Sequence, residues 1–326
     1  MAMKLTRRKC VAAIGTALLS RRLNAQQPPK PTLGILDSAA ATAFKLSAFY
    51  EGLKVEGFSR NQNLTVEYHS ADGDYARLPE LAADLVNRQV TLISAFGTSA
   101  ALAAKAATTK ISIVFAVDAN PIEIGLVASL NHPGANIIGV AGMADGRERR
   151  RLELLHAALP TAPVLGLLLN PQNSSHDAQS NDAFALAQEI GVQIRLVRAN
   201  TGREFGNAFA ELSQSRAGGL VIADDEFFLS ASAELGALAI RQSVPAIFQG
   251  AAFASAGGLM SYGTRLAELY HQAGTYSGLI LAGAAPADLP IYQSSGAEMI
   301  VNLRSAKSLG IVMPQAIIDQ ATTLLR

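Results

Sequence analysis

Residues 93–107 read ISAFGTSAALAAKAA. An apolar, strand-like run ends at Gly97, Thr98 and Ser99 stand at the junction, and a stretch of almost pure alanine follows. A glycine there lets the backbone turn tightly and approach a ligand closely. The free N–H groups and positive dipole end of the following helix favour an anion. Two hydroxyls add donors, so the junction suits a carboxylate better than a metal ion or a phosphate chain. Opposite it, Asp118 or Asp225 could hold an ammonium.

Polar residues recur after the other apolar runs. They are Ser38 after TLGILD, Asp118 after SIVFAV, and Asn170, Asn173 and Ser174 closing and following VLGLLLN. Asp225 lies in the Asp224-Asp225-Glu226 run after GGLVIA, and Gln249 ends PAIFQ. In open parallel sheets ligands bind beyond the carboxyl ends of the strands. Most of these residue types are also preferred helix N-caps, but a parallel sheet would gather the whole set at one cleft, which favours a ligand site.

Other chemistries are poorly served. Gly97-x-Ser99 starts like a hydrolase nucleophile elbow, but Ala101 stands where the closing glycine belongs. Of the five histidines, only His176 falls near a cleft loop. The chain has no phosphate loop, no dinucleotide fingerprint, and no His or Cys pair at metal spacing. No catalytic residue, cofactor or metal is therefore expected.

The elements that must carry these loops alternate. Strand-like runs (TLGILD, LTVEYHS, TLISAF, SIVFAV) are separated by stretches of helical period, which marks a parallel sheet with crossover helices. The rhythm breaks around ASLNHPGANIIGVAGM, taken as a crossing between lobes, and restarts with a helix from about Arg147. GGLMSYG, residues 257–263, is read as a second crossing, Thr264 opens a long helix, and the tail is read as two short strands and a brief helix before a closing amphipathic helix. About 300 residues exceed what one core fills efficiently. The prediction is an α/β chain of two doubly wound parallel-sheet lobes. One lobe spans 31–140 plus about 264–286, and the other 141–263 plus about 287–326.

The N-terminus reads as an export signal. Lys4, Arg7, Arg8 and Lys9 precede an uncharged run from Cys10 to Ser20, with a small residue, Ala25, before a proline-rich segment. Residues 1–25 are therefore expected to be a cleaved signal peptide, by the general or the twin-arginine route. Removing them takes away six basic side chains and no acidic one, leaving 21 basic against 26 acidic, a formal charge of −5. That balance argues against nucleic acid as a partner. The one cysteine, Cys10, falls inside the signal, which suits an oxidising compartment such as the periplasm.

The block ADLVNRQVTLISAFGTSAALAAKAATTKISIVFAVDANPIEIGLVASLNHPGANIIGV resembles the ABC-transporter substrate-binding proteins related to tryptophan and aromatic amino acid binders. The resemblance continues through RRLELLHAALP, LLLNPQN, FASAGGLMSYGTRLAELYHQAG and MIVNLRSAKSLGI. It implies the type I periplasmic binding fold, with ligand closed between lobes joined by three crossings. It also implies a monomer that performs no covalent chemistry and serves an ABC permease in the inner membrane. Carried onto this sequence, the family's Gly-Thr turn falls on Gly97 and Thr98, with Ser99 where many members have proline. The Asn-Pro-x-Asn turn falls on Asn170, Pro171 and Asn173. The family's Asp-Pro-Val-Gly segment is altered to Asp118-Ala119-Asn120-Pro121. The expected ligand is a small carboxylate-bearing molecule, an amino acid or an aromatic acid. Two rivals are a periplasmic sensor subunit and a serine hydrolase using Ser99.

Overall fold

The central strands form from apolar runs, and the stretches of helical period between them become helices. A computed structural model describes residues 30–131, 133–134, 136–142, 146–294 and 296–326; the signal-peptide reading of residues 1–25 lies outside them. The first half runs β1 (Thr32–Asp37), α1 (Ala43–Val55), β2 (Thr65–Ser70), α2 (Leu78–Asn87), β3 (Leu92–Phe96), α3 (Thr98–Ala107), β4 (Ser112–Val117) and β5 (Ile137–Gly142). The chain continues with α4 (Arg147–Ala158), β6 (Val164–Leu169), α5 (His176–Ile190), β7 (Gln193–Arg198), α6 (Gly202–Gln214) and β8 (Gly219–Ile222). Then come α7 (Glu226–Ser230), α8 (Ser232–Arg241), β9 (Ala246–Phe248), α9 (Ala251–Ser255) and β10 (Met260–Thr264). The last part holds α10 (Leu266–Leu281), β11 (Tyr292–Ser294), β12 (Ala297–Asn302), α11 (Leu303–Ser308), α12 (Gln315–Ile318) and β13 (Thr323–Leu325).

The strands form two sheets. The first has the order β11-β5-β4-β3-β1-β2, all parallel. The second has the order β13-β12-β10-β9-β8-β6-β7, in which only β10 and β12 run antiparallel. Covered by helices, β1, β3, β4 and β5 are buried along nearly their whole length, which is why they read as continuous apolar runs and not as alternating ones.

The chain passes between the sheets three times: between β5 and α4, between β10 and α10, and between β11 and β12. Three sequence expectations are corrected. Most of the 257–263 segment is not a crossing, because Met260 onward is a central strand of the second sheet and the crossing follows at Arg265. Tyr292–Ser294 pairs with β5 in the first sheet, so that lobe takes residues to Ser294 rather than to about 286. The tail closes on the four-residue α12 and on β13, which pairs with β12. A short strand in the tail can be read from sequence, but the sheet it joins depends on a partner distant along the chain.

Alanine and glycine permit close helix packing in the first lobe. A Cβ at Gly274 of α10 would run into the Phe49 carbonyl of α1, and one at Gly52 into the carbonyl of His271. The two helices therefore meet backbone to backbone. Gly274→Ala must force them apart, and a loss of about 1–3 kcal/mol is expected from such overpacking. A thermal melt checks this; an unchanged melting temperature would mean that α1 slides freely on α10. Beside this contact Phe49, Phe96 and Tyr270 pack edge to face, at 5.0 and 5.5 Å between centroids. They pin the carboxyl end of β3, where Gly97 begins.

Candidate functional site

The carboxyl ends of β1, β3 and β4 face those of β6, β8 and β9 across a cavity of about 40 Å³. From the first lobe it is lined by Ser38, Gly97, Thr98, Ser99 and Asp118, and from the second by Asn173, Asp225 and Gln249. Eight of the ten predicted residues thus meet at one point. The other two stand aside: Asn170 lies behind Asp225 and hydrogen-bonds it, while Ser174 lines an adjoining outer chamber. The structure adds Tyr75, Asp224 and Glu226 to the cavity wall.

At Gly97 the backbone takes φ of +90°, a conformation that favours glycine. A Cβ there would sit 2.5 Å from Cγ of Glu226 and 2.8 Å from the Ser38 hydroxyl, so any side chain would fill the cavity. The first turn of α3 then points at the open space. Ser38 Oγ accepts from the Ala100 N–H at 3.1 Å. Among the described residues, the N–H and hydroxyl groups of Thr98 and Ser99 make no hydrogen bond, and they line the cavity at the positive end of a ten-residue helix. The geometry fits an incoming anion.

The facing wall is acidic. Asp225 is buried and accepts from Asn170 Nδ2 at 3.2 Å, Asn173 Nδ2 at 2.9 Å and the Phe228 N–H at 3.1 Å. Tyr75, from the other lobe, donates its hydroxyl to Asp225 at 2.9 Å and accepts from the Phe227 N–H at 3.1 Å. Burial, with Asp225 beside it, pushes the Tyr75 phenol far up, so it stays a donor. With so many donors on it, Asp225 holds the two lobes and the start of α7 in place. Little of it is left for an ammonium.

Asp118 and Asp224 come from opposite lobes. Asp118 is bound by Arg147 and Thr264, and Asp224 by Arg151 at 2.7 Å. Between them lies Gln249, whose amide, oriented to suit its neighbours, donates to Asp118 Oδ2 at 2.9 Å and to Asp224 Oδ1 at 3.2 Å. Glu148 accepts from the Asp224 N–H at 2.9 Å. Burial raises the pKa of Asp224, and the Asp118 charge adds to the effect, while Arg151 opposes it.

A third acid–base group sits beside these. The buried Lys45 ammonium bonds both Asp37 oxygens at 2.9 and 2.8 Å and reaches Glu226 of the second lobe at 3.5 Å. Tyr68 donates to Asp37 at 2.6 Å. Glu226 is pushed up to about 7 by burial, with Asp37 and Asp225 adding to the rise and Lys45 opposing it. In all three groups the cation stands behind its carboxylate: among the described residues no lysine or arginine lines the cavity, whereas Asp118, Asp224, Asp225 and Glu226 do.

Phe96, Phe248 and Phe253 are wholly buried in the cores, and none of the described histidines lines the cavity. The His176 ring bonds the Asn173 carbonyl instead. Asp224 and Glu226 were within reach of sequence reading, as neighbours of Asp225 in the same strand-end run. Tyr75 carried no such signal, because an aromatic residue opening an amphipathic stretch reads as core. Among the described residues no helix is long and apolar enough to cross a membrane.

Known proteins share this architecture. A Vibrio cholerae conserved domain protein superposes with a TM-score of 0.80 at 23% identity, over 90% of this chain and 99% of that one. An ABC domain from Streptococcus pneumoniae in complex with L-Trp gives 0.77 at 22% identity, over 91% and 100%. A tyrosine-binding protein of Clostridioides difficile is 25% identical over 261 residues, 80% of this chain and 75% of that one. Residues 36–325 match the sequence pattern of ABC transporter substrate binding proteins, and the chain belongs to that family.

Proposed function

We propose that this protein is the exported, periplasmic binding component of an uptake transporter. It captures a free amino acid between its lobes, does no covalent chemistry and hands the ligand to an inner-membrane permease. The observation that carries this is the pairing across one cavity of unpartnered donors at the start of α3 with carboxylates of both lobes. The ligand carboxylate meets Thr98, Ser99 and the α3 terminus. Its ammonium meets Asp118 and Asp224, displacing the neutral Gln249 amide. Ligand bridging the lobes favours the closed arrangement over the open one. The direct interlobe contacts Tyr75–Asp225 and Lys45–Glu226 support closure. So does a TM-score of 0.77 to the L-Trp complex against 0.59 to a ligand-free, open substrate binding protein of similar identity.

Replacing Thr98 and Ser99 together by alanine removes two hydroxyl donors from the anion site and no buried contact. We expect amino acid affinity to fall about 10- to 100-fold, at roughly 1 kcal/mol or somewhat more per donor to a charged group. The melting temperature of the empty protein should stay where it was. Titration calorimetry with the amino acid that binds the parent protein is the check, and unchanged affinity would take this turn out of the site.

A further inference from the structure

The central cavity does not end at the lobe-bridging pair. Past Asp118 and Asp224 it adjoins a chamber of about 690 Å³ between α3 on one side and α4 and α5 on the other, with Thr98 and Asn173 common to both spaces. Glu123, Glu148 and Asp182 add three more carboxylates to its wall. Among the described residues the one cation lining it is Arg149, which is tied to Glu153 and Glu189. Arg147 and Arg151 lie behind, held by Asp118 and Asp224. Among the described residues no aromatic side chain lines the chamber. Burial, the Asp224 charge and, more weakly, Asp182 push Glu148 up to about 7.

Such a wall rejects an acidic side chain and leaves a neutral one among carboxylates with nothing to neutralise them. The buried hydroxyl of Ser38 accepts from Ala100 and donates to no group among the described residues, so the central cavity still has a donor free for the ligand's carboxylate. Resting on the amino acid reading of this cleft, we propose that the ligand has a cationic side chain, as in lysine, ornithine or arginine. Its α-amino group lies at Asp118 and Asp224, and its charged end reaches into the chamber toward Glu123, Glu148 and Asp182. The ring-bearing amino acids named for the family relatives would find no aromatic surface to stack on there.

The test is titration calorimetry at pH 7.5 on the full protein, stripped by unfolding and refolding. The ligands are L-lysine, L-arginine, L-norleucine, L-tyrosine and L-glutamate. Norleucine matches the lysine side chain without its charge. We expect lysine or arginine to bind at least about tenfold tighter than norleucine, the scale of one partly enclosed charge pair. The preference should shrink as salt is raised. In Glu123→Gln/Asp182→Asn, two exposed positions where folding tolerates change, the lysine-to-norleucine ratio should fall toward one. Tyrosine or norleucine binding tighter than lysine would overturn the cationic side chain and leave the amino acid reading standing. A preference that survives in the double variant would also overturn it, because the charge would then lie elsewhere. Binding of none of the five would overturn both.

Discussion

Asp225→Ala is expected to lower the melting temperature of the empty protein by about 6–12 °C. The carboxylate is buried at the centre of four donors: the Asn170 and Asn173 amides, the Phe228 N–H and the Tyr75 hydroxyl. Alanine leaves the Asn170 amide, the Phe228 N–H and the Tyr75 hydroxyl without this acceptor at a buried position, while the Asn173 amide keeps only the Asp224 carbonyl. Removing one partner from such a buried, charge-centred network costs about 3 kcal/mol or more, and each kcal/mol is worth about 2–4 °C for a domain of this size. The variant also loses the Tyr75 hydrogen bond that ties Asp225 across the lobes. Tyr75→Phe separates the two effects: it removes the interlobe bond and spares the three donors within the second lobe. We expect it to weaken ligand binding through a less favourable closed state while shifting the melt by only a fraction of the alanine effect. A melt of Asp225→Ala within 2 °C of the parent would show that these donors find other acceptors, and would remove Asp225 as the organiser of this wall. Thermal melts and calorimetry read both variants.

Glu226→Gln is expected to change how stability depends on pH. Glu226 faces Lys45 of α1 at 3.5 Å, the Tyr270 hydroxyl of α10 at 3.4 Å, and the charges of Asp37 and Asp225. Its folded pKa of about 7 lies above the ordinary 4.5. Between those values the folded protein binds more protons than the unfolded chain, so stability falls as pH rises. The contribution is present in full below about 4.5 and is lost as pH rises through about 7. At one unit per 1.4 kcal/mol the span is about 3 kcal/mol. Glutamine resembles the protonated acid, so the variant should match the parent near pH 5 and melt several degrees higher at pH 8. Glu148, also near 7, keeps part of the slope in the variant. Melts from pH 4.5 to 8.5 decide this, and a parent whose stability rises over that range would refute the assignment.

Part of this was legible in the chain itself. Continuous apolar runs named the parallel strands, because a strand buried on both faces has no polar side to alternate with. Gly97-Thr98-Ser99 announced a tight turn opening a helix, and the turn does open α3 and face the cavity. The recurrence of polar residues at strand ends named most of the cavity wall, because parallel topology gathers those ends on one side. The short strands of the tail were legible but not the sheet that β11 joins, because that assignment depends on pairing with β5, about 150 residues earlier.

What residue types and their order determine by themselves is local. They set the period of burial, the turn that only glycine makes easily, and the side of each sheet on which polar groups collect. Which charges meet was decided by tertiary structure, because an ion pair depends on distance in space. Lys45 and Glu226 are 181 positions apart, and Asp118 and Arg147 lie on either side of a crossing. Only the folded arrangement shows each cation withdrawn behind its carboxylate. That withdrawal is what makes the cavity between the lobes acidic in a chain whose formal charge is only +1.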